Sequence, residues 1–559
     1  MTSVTTQHET NVAWQLSRMA RQMPDAIAIA APRHSRPEGR DAYHTMTFRE
    51  LDEDSTQLAA ALQSLGLRPG QRIVLMVRPG IDFISLTFAL FKAAAVVVLI
   101  DPGMGRQHLL QCLTDVKPDG FIGIPLVQAV RLIYRNRFPQ AQLNVTVGRR
   151  WAWGGPTLKS LRGWNANLVP HAVDAADPAA IIFTTGSTGP PKGVHYNHGN
   201  FCAQVRQIQE FYDIQPGEVD LPGFPLFALF NSAMGTTTVI PDMDPRRPAR
   251  VDPQRIVQAV RDWQVTQCFG SPAIWNVVGQ YCEGHAIRLP TVRRILSAGA
   301  PVPPHVLRRM KAAIADDGDI HTPYGATESL PVASISATEV LEETAAQTAV
   351  GAGTCVGRRF SEIEWRVIPI DDEPISSLDG INDCAAGEIG ELIVSGPVVT
   401  QQYVTRTESN PLAKIYDGQR LWHRMGDVGY LDDSDRFWFC GRKAHRVTTA
   451  AGVMFTIPCE AIANQHPAVY RSALVGMGAP GQQRPAMIIE PWPAQRPTDS
   501  AAEAKLLDEV FVLLEKHELT CAIPRQHVLM HPSLPVDIRH NAKIFREQLG
   551  PWAAKKVAL

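Results

Sequence analysis

The feature that most restricts the fold is an apolar stretch at residues 83–100 that changes character half-way along. Residues 82–92 suit a helix ending at Lys92, whereas residues 96–100 read Val-Val-Val-Leu-Ile and suit a buried strand. Residues 73–77 precede them as another short apolar strand. The charge of Lys92 and the change of pattern argue against a transmembrane segment. Strand, helix and strand at this spacing predict a parallel sheet and an α/β fold.

The same organisation continues to about residue 350. Thr47 and Glu50 form a predicted capping box, and Gly66 is a predicted stop for that helix. Open α/β sheets place their ligands in the loops that follow their strands. Predicted strands that run into a loop with Gly or Pro are residues 181–184, 266–269 and 294–296. Short predicted strands follow at residues 362–370 and 390–395, and a final section begins near Gly441 with a helix-rich stretch at residues 501–519.

Composition argues against several classes of protein. The 559 residues include 54 basic and 55 acidic ones, and a formal charge of -1 gives no reason to expect a nucleic-acid partner. The nine cysteines are scattered, without metal-binding spacing, which predicts reduced thiols in a cytoplasmic protein. Residues 1–10 are polar and lack the regions of a signal peptide.

One loop has the composition needed to hold phosphate. The apolar pair Ile182-Phe183 leads directly into Thr184-Thr185-Gly186-Ser187-Thr188-Gly189-Pro190-Pro191-Lys192-Gly193. Glycines let backbone N–H groups approach an anion, hydroxyls add donors, and Lys192 supplies a compact positive charge. The loop is not a Walker A motif, because Lys192 lies between Pro191 and Gly193. A polar turn between two elements is the alternative interpretation.

Four further patterns are weak alone and stronger together. Glu328 in Tyr324-Gly325-Ala326-Thr327-Glu328 is a candidate Mg²⁺ ligand, because a carboxylate beside a triphosphate requires a hard cation between them. Ser297-Ala298-Gly299-Ala300-Pro301 could let a flat base lie against the backbone, and Asp427 in Gly426-Asp427-Val428-Gly429-Tyr430 suits the hydroxyls of a ribose. Gly441-Arg442-Lys443 and Asn541-Ala542-Lys543 follow. Taken singly, these segments are more typical of a capped turn, a β-turn or a solvated lysine.

In this order, these motifs resemble those of the adenylate-forming superfamily, which contains acyl-CoA synthetases, peptide-synthetase adenylation domains and luciferases. The resemblance covers nearly the whole chain. Within the superfamily the chain is most similar to the β-lactone synthetase branch of olefin biosynthesis, in the stretches at residues 219–230, 241–245, 351–357 and 437–443.

The resemblance implies an N-terminal AMP-binding domain at residues 1–441, with parallel-rich sheets and helices, and a small mobile α+β domain at residues 442–559. ATP would lie between them. The residues that would hold its β- and γ-phosphates are Thr184, Thr185, Gly186, Ser187, Thr188, Gly189 and Lys192. Those that would hold the adenine are Gly299, Ala300, Pro301 and Tyr324, with Gly325 beside them.

The remaining implied roles concern charge. Thr327 and Glu328 would hold the α-phosphate and Mg²⁺, and Asp427 would bind the ribose with Arg442 nearby. Lys543 would enter with the small domain and neutralise charge as a carboxylate attacks phosphorus. The implied catalytic residues are Lys543, Glu328, Thr184 and Lys192.

Two positions depart from the family pattern. Many members carry a His after the aromatic residue that corresponds to Phe227, in the acyl pocket, and this chain has Ala228 there. A smaller side chain could admit a branched acid or could be neutral. Many members also have an Asp or Lys hinge where this chain has Ala444, and Lys443 beside it is the alternative hinge residue. A less specialised hinge fits an enzyme that does not move to a CoA-using state.

The implied activity is conversion of a long-chain 2-alkyl-3-hydroxy acid through an acyl adenylate to a β-lactone, with assembly among other olefin-pathway enzymes. The substrate's own hydroxyl would close the ring, which gives it the advantage of proximity. A fatty acyl-CoA or fatty acyl-AMP ligase and a non-catalytic nucleotide-binding subunit are the alternatives. Which residue, if any, takes the hydroxyl proton is left open. His195, His198, His423 and His445 lie in or near the motifs, but a lone histidine in a loop is more often a hydrogen-bonding residue than a base.

Overall fold

The computed structural model describes residues 10–33, 39–184, 190–224, 227–536 and 543–557. The longer helices in these ranges are Val12–Gln22, Phe48–Ser64, Ile81–Lys92, Arg106–Asp115, Pro125–Ile133, His198–Phe211, Ala228–Met234, Pro253–Trp263, Pro272–Gly284, Pro304–Ala313, Thr456–Ala463, Ser500–Glu515 and Arg546–Val557. Short helices are Leu158–Leu161, Ala337–Glu339, Ala345–Ala349 and Asn410–Ala413. None of the helices in these ranges has both the length and the apolar composition needed to cross a bilayer.

The first sheet has nine strands, and its middle is parallel. From one edge to the other, its strands are Arg358–Arg359, Ser329–Ser336, Asp319–Ala326, Arg294–Ser297, Gln267–Gly270, Val219–Pro222, Thr237–Val239, Ile27–Pro32 and Tyr43–Thr47. The strand Ile27–Pro32 pairs in parallel with Thr237–Val239, about two hundred positions later in the sequence.

The second sheet has six strands and is parallel except at one edge. In spatial order, its strands are Leu143–Thr146, Gly120–Gly123, Arg72–Met76, Val96–Leu99, Pro178–Phe183 and Gly193–Asn197. The predicted strand, helix and strand are therefore confirmed as Arg72–Met76, Ile81–Lys92 and Val96–Leu99. The α/β class with parallel-rich sheets is confirmed as well.

The remaining sheets lie later in the chain. A third, antiparallel sheet contains Thr354–Cys355, Phe437–Arg442, Arg420–Leu431, Gly390–Ser395, Glu364–Ile368 and Lys414–Asp417. Beyond it come the hairpin Val447–Thr449 and Gly452–Met454, and a sheet of Val469–Met477, Arg484–Pro491 and Val528–Met530. The division of the chain at residue 441 stays a prediction.

Local sequence explains where the first long helix begins. The Thr47 side chain accepts a hydrogen bond from the Glu50 backbone N–H, and the Glu50 carboxylate accepts one from Thr47, so the predicted capping box is confirmed. Lys92 is buried at the end of the next helix and donates to Asp52 Oδ1 at 2.6 Å, as well as to the hydroxyls of Ser55 and Thr56. The hydrogen bonds of Lys92 therefore connect the helix Ile81–Lys92 to the helix Phe48–Ser64.

Side chains of the strand Val96–Leu99 alternate between two apolar clusters, so the second sheet is covered on both faces. Val97 belongs to the largest core, which also contains Phe88 of the helix Ile81–Lys92. Val96 and Val98 belong to a second cluster with Leu113 of the helix Arg106–Asp115. The carboxyl ends of the parallel strands lie between these two layers.

Candidate active site

The predicted phosphate loop is closed at its base by two adjacent strands. The strand Pro178–Phe183 pairs antiparallel with Gly193–Asn197. The backbone N–H of Thr184 donates to the carbonyl of Lys192 at 3.0 Å, and the N–H of Lys192 donates to Thr184 Oγ1 at 3.0 Å. These bonds place Lys192 directly opposite Thr184. The predicted residues Thr185, Gly186, Ser187, Thr188 and Gly189 lie outside the described residues.

Tyr403 lies between Lys192 and Glu328, the predicted Mg²⁺ ligand. Lys192 Nζ is 4.8 Å from the ring centroid of Tyr403, and the Tyr403 hydroxyl donates to Glu328 Oε1 at 2.6 Å. Burial lowers the pKa of Lys192, while the charge of Glu328 opposes that shift. Burial, together with the Glu328 charge, raises the pKa of Tyr403, so its hydroxyl remains a donor. The Lys192 ammonium therefore contacts the Tyr403 ring, and the Tyr403 hydroxyl contacts the Glu328 carboxylate.

The backbone around Glu328 is held from two sides. The Glu328 carbonyl accepts hydrogen bonds from the backbone N–H and the hydroxyl of Thr400, both at 2.9 Å. Tyr196 donates its hydroxyl to the carbonyl of Thr327 at 2.5 Å. Thr327 and Glu328 occupy the turn between Asp319–Ala326 and Ser329–Ser336. These contacts fix the turn that carries the Glu328 carboxylate.

Glycine is required at position 325 of the same hairpin. A Cβ there would lie 2.7 Å from the Ser329 carbonyl oxygen. Any larger residue would therefore move the turn that carries Glu328.

A second cluster joins the predicted adenine and ribose residues. The Tyr324 hydroxyl donates to Asp427 Oδ2 at 2.5 Å, and Arg442 Nη1 donates to Asp427 Oδ1 at 2.7 Å. The Asp427 charge is the main cause of the raised pKa of Arg442, and burial raises the pKa of Tyr324. Asp427 is buried within the strand Arg420–Leu431, so the β-turn alternative for this segment is wrong. Gly426, at φ +66°, provides the local distortion.

A cavity of about 1660 Å³ opens at the carboxyl ends of the second sheet's strands. The predicted residues that line it are Thr184, Lys192, Gly299, Gly325, Thr327, Glu328, Arg442 and Lys543. Ala300, Pro301, Tyr324 and Asp427 do not line it. All four predicted catalytic residues therefore meet at one cavity, although the role of each stays a prediction.

Apolar side chains from clusters on both faces of the second sheet line the cavity. We call the part lined by Phe83, Phe88, Phe91, Phe201 and Phe230 the inner arm, because these residues belong to or pack against the largest core. We call the part lined by Leu109, Leu113, Phe121, Val127 and Phe138 the outer arm, because these belong to or pack against the cluster on the opposite face. The whole volume exceeds that of a pocket for a drug-sized ligand, which is roughly 300–1,000 Å³.

The predicted substrate residue Phe227 also lines the cavity. Its ring is stacked on Phe269 with the centroids 3.5 Å apart. The backbone of Ala228 begins the helix Ala228–Met234, but its side chain lies outside what the structure describes. Lys443 binds Glu391 Oε2 at 3.0 Å and the Asp371 carbonyl at 2.8 Å.

The histidines considered as bases differ in position. His198 is buried, and burial lowers its pKa to about 4. Burial and three nearby cations, including Lys543, lower the pKa of His445 to about 3. His195 is half-buried and does not line the cavity. His423 does line it, with Nδ1 3.0 Å from the Ala413 carbonyl. Burial, with the charge of Lys414, lowers the pKa of His423 well below its usual value, so the ring is neutral. Since a carbonyl only accepts, Nδ1 carries the proton and Nε2 is the acceptor.

Sequence reasoning missed Tyr403, Tyr196 and Thr400. Tyr403 follows the strand Gly390–Ser395 by eight positions in a run of valines, threonine and glutamines, which gives no chemical signal. Lys414 was also missed; its Nζ donates to Thr400, and burial lowers its pKa to about 7. In the described part of the chain no cluster of three or more His, Cys, Asp or Glu could hold a metal by itself. Mg²⁺ commonly binds one or two carboxylates together with substrate phosphates, and Glu328 fits that pattern.

A family model for AMP-binding enzymes matches residues 16–404. The chain belongs to this family. It is 47% identical over 554 residues to the olefin beta-lactone synthetase of Xanthomonas campestris pv. campestris, covering 98% of each chain. It is 46% identical to the olefin beta-lactone synthetase of Stenotrophomonas maltophilia, again over 98% of each chain. Within the AMP-binding enzymes it therefore belongs with the olefin beta-lactone synthetases, and it is an adenylate-forming ligase.

The solved structures agree on the fold. The O-succinylbenzoate Coenzyme A synthetase of Bacillus subtilis, in complex with ATP and magnesium ion, matches with a TM-score of 0.73 and 19% identity. The match covers 96% of this chain and 98% of that one. At this identity the likeness concerns the fold alone.

Proposed function

We propose that this enzyme uses ATP and Mg²⁺ to convert a long-chain 2-alkyl-3-hydroxy acid into a β-lactone, releasing AMP and pyrophosphate. One observation carries the proposal: the same cavity joins Lys192, Glu328 and Lys543 to two apolar arms. A 2-alkyl-3-hydroxy acid has two alkyl chains that diverge beside one carboxylate. Each chain would occupy one arm while the carboxylate faces the charged residues.

In the first step a carboxylate oxygen would attack the α-phosphorus of ATP, and the bond to the bridging oxygen of the β-phosphate would break. Two anions must meet, so stabilising charge is the main catalytic task. Lys192 and Lys543 would provide cations, and Tyr403 would hold the Glu328 carboxylate in position. Bound Mg²⁺ would supply further neutralisation of phosphate charge at Glu328.

In the second step the 3-hydroxyl oxygen would attack the acyl carbon, the bond from that carbon to the phosphate oxygen of AMP would break, and the hydroxyl proton would pass to a side-chain base or to the departing AMP. The attack is intramolecular, which favours it over a second molecule such as CoA. The apolar lining of the cavity disfavours water near the acyl group, where it would otherwise hydrolyse the adenylate. His423 is the one of the four histidines considered that lines the cavity, with Nε2 free of the proton.

The test is to supply ATP, Mg²⁺ and a racemic 2-alkyl-3-hydroxy acid, with and without CoA, and to identify products by proton and phosphorus NMR. We expect lactone, AMP and pyrophosphate without CoA. The 3-deoxy analogue should stop at the adenylate. A thioester as the main product would establish the acyl-CoA ligase alternative, and an accumulating adenylate from the hydroxy acid would establish the acyl-AMP ligase. Absence of any ATP turnover would leave the non-catalytic alternative.

Three further parts of the proposal rest on the sequence. They are assembly with other olefin-pathway enzymes, a mobile domain at residues 442–559, and a cytoplasmic location. The nine free cysteines support a reducing compartment.

A further inference from the structure

The helix Pro125–Ile133 exposes three large apolar side chains. Leu126 is 69% exposed, Ile133 is 74% exposed and Leu132 is 44% exposed, whereas the polar Gln128 is completely buried. Surface helices of globular proteins normally show the opposite arrangement. This helix therefore exposes an apolar surface that its own fold leaves uncovered.

Hydrogen bonds fix that orientation. The Gln128 amide donates to the Phe121 carbonyl at 3.2 Å and to the Val145 carbonyl at 2.9 Å, on two neighbouring strands of the second sheet. Arg131 in turn donates to Gln128 Oε1 at 2.9 Å. Because a buried amide must keep its partners, rotating the helix to bury its leucines would cost these bonds.

An exposed tryptophan lies in the loop that follows the adjoining strand Leu143–Thr146. Gly148 is the second residue after this strand, and a Cβ built on it would be 3.8 Å from Pro125 at the first helical position. Trp151 follows three residues later and is 65% exposed. Its neighbour Trp153 is buried and donates Nε1–H to Thr146 Oγ1 at 2.9 Å, which anchors the loop. Tryptophan with an apolar body and a polar edge is typical of a membrane interface.

The segment that carries this surface has charges of one sign only. Residues 120–173 contain no Asp or Glu, although the whole chain has a formal charge of -1. Arg135, Arg137, Arg149 and Arg150 in this segment are exposed. None of the ion pairs in the described part of the chain includes any of these four arginines. We call these arginines, with Leu126, Leu132, Ile133 and Trp151, the basic apolar patch.

The helix that carries part of the patch also lines the cavity. Leu126, Val127, Val130 and Arg131 of the helix line it, and Val127 also packs against the apolar cluster of the outer arm. The same nine-residue helix thus separates the outer arm from the exposed surface. An alkyl chain held at that surface would need to pass only this helix to enter the cavity.

We propose that the basic apolar patch binds the surface of an anionic lipid bilayer and that alkyl chains enter the outer arm from the lipid. Apolar side chains flanked by arginines and a tryptophan match the depth profile of a bilayer surface, and each arginine is attracted to anionic headgroups. A lipid surface explains why acidic residues are missing from the segment, since they would be repelled. The entry route rests on the proposed function, but the binding to lipid does not.

The experiment measures flotation of the full-length protein with vesicles of phosphatidylglycerol or of phosphatidylcholine, without ATP. We expect binding to phosphatidylglycerol that weakens as salt is raised, because the attraction is screened. The double variant Leu132→Ser/Ile133→Ser and the double variant Arg135→Glu/Arg137→Glu should each lower the partition coefficient by about tenfold or more.

Matched controls lie elsewhere on the surface. Val350 is 60% exposed and Arg308 is exposed, so Val350→Ser and Arg308→Glu should change binding by less than about twofold. Thermal midpoints would show that each variant is folded. Equal binding to both lipids, or patch variants that bind like the parent, would overturn the proposal. So would patch variants that change the oligomeric mass while the parent ignores vesicles, since that result assigns the patch to a protein interface.

A second readout separates this proposal from the proposed function. Lactone formation is compared for a long-chain acid presented in phosphatidylglycerol vesicles and for a short-chain acid in solution. The patch variants should lower the first rate and leave the second unchanged. If no lactone forms from either acid, the proposed function fails, while the flotation result still decides the lipid proposal.

Discussion

Replacing Tyr403 by Phe tests whether the position of Glu328 matters for catalysis. The change removes one O–H donor at 2.6 Å from Glu328 Oε1 and keeps the ring that faces Lys192 at 4.8 Å. A hydrogen bond to a charged group contributes about 1.5–3 kcal/mol. Glu328 is only part-buried, so water from the cavity replaces some of the loss and the lower end of that range applies.

A loss of about 1.5 kcal/mol corresponds to roughly a tenfold fall in kcat/KM. We expect most of it in kcat, because Lys192, which would hold the ATP phosphates in our proposal, keeps the aromatic ring beside it. The assay is the initial rate of pyrophosphate release across a range of ATP and Mg²⁺ concentrations. The matched control is Tyr416→Phe, because Tyr416 is 61% exposed and its hydroxyl makes only a 3.4 Å contact to the Gln401 carbonyl.

The reasoning would be refuted by a Tyr403→Phe enzyme whose kcat stays within about twofold of the parent. A fall in kcat that is matched by Tyr416→Phe would be equally damaging, since it would reflect a general effect of the substitution. Thermal midpoints of both variants separate loss of positioning from loss of folding.

Further predictions concern Lys543, Ala228 and Asp220. Lys543→Ala should lower turnover, measured by single-turnover kinetics, by about a hundredfold or more and leave ATP affinity, measured by calorimetry, nearly unchanged. The control is Lys555→Ala, because Lys555 is exposed. An unchanged rate in the Lys543 variant would remove this residue from the mechanism. Ala228→Trp should raise KM for α-branched acids more than for unbranched ones, and equal effects in steady-state assays would mean that this position does not face the branch. Burial raises the pKa of Asp220 from 3.8 to about 7, so the folded state holds an extra proton between these values and stability falls as pH rises through that window. Asp220→Asn should therefore lower the pH dependence of stability by up to about 1.4 kcal/mol per pH unit, seen as a smaller drop in Tm from pH 5 to 8, and an unchanged drop would contradict the shift.

The sequence predicted the strands and helices whose bounds are set by neighbouring residues in the chain. The strand Gly390–Ser395 has the predicted bounds, and Gln267–Gly270 and Arg294–Ser297 differ from the predictions by about one residue, because a short apolar run bounded by turn residues has one consistent interpretation. The helix predicted at residues 501–519 is Ser500–Glu515, since its start is capped by Asp499 but its end carries no stop signal.

The rest depended on contacts between distant parts of the chain. Two glycines around Asp427 favoured a turn, but pairing with the strand Phe437–Arg442 keeps the segment in a sheet. Gly426, at φ +66°, lies where the register with the strand Gly390–Ser395 shifts, which is typical of a β-bulge. Tyr403 reaches Glu328 across 75 positions, which no local pattern encodes. The pairing of Ile27–Pro32 with Thr237–Val239 could not be predicted either, because the two strands are far apart in the sequence.

The bonds between Thr184 and Lys192 have a consequence for how this loop can change through evolution. The entropy of closing a loop grows only with the logarithm of its length, so each doubling costs about 0.6 kcal/mol. Here the closing contact is made by strand pairing, with Phe183 opposite Gly193. Insertions or deletions between the two anchors therefore leave the register of Lys192 untouched. Segment length can be altered to suit a different nucleotide or leaving group while the lysine stays where the sheet holds it.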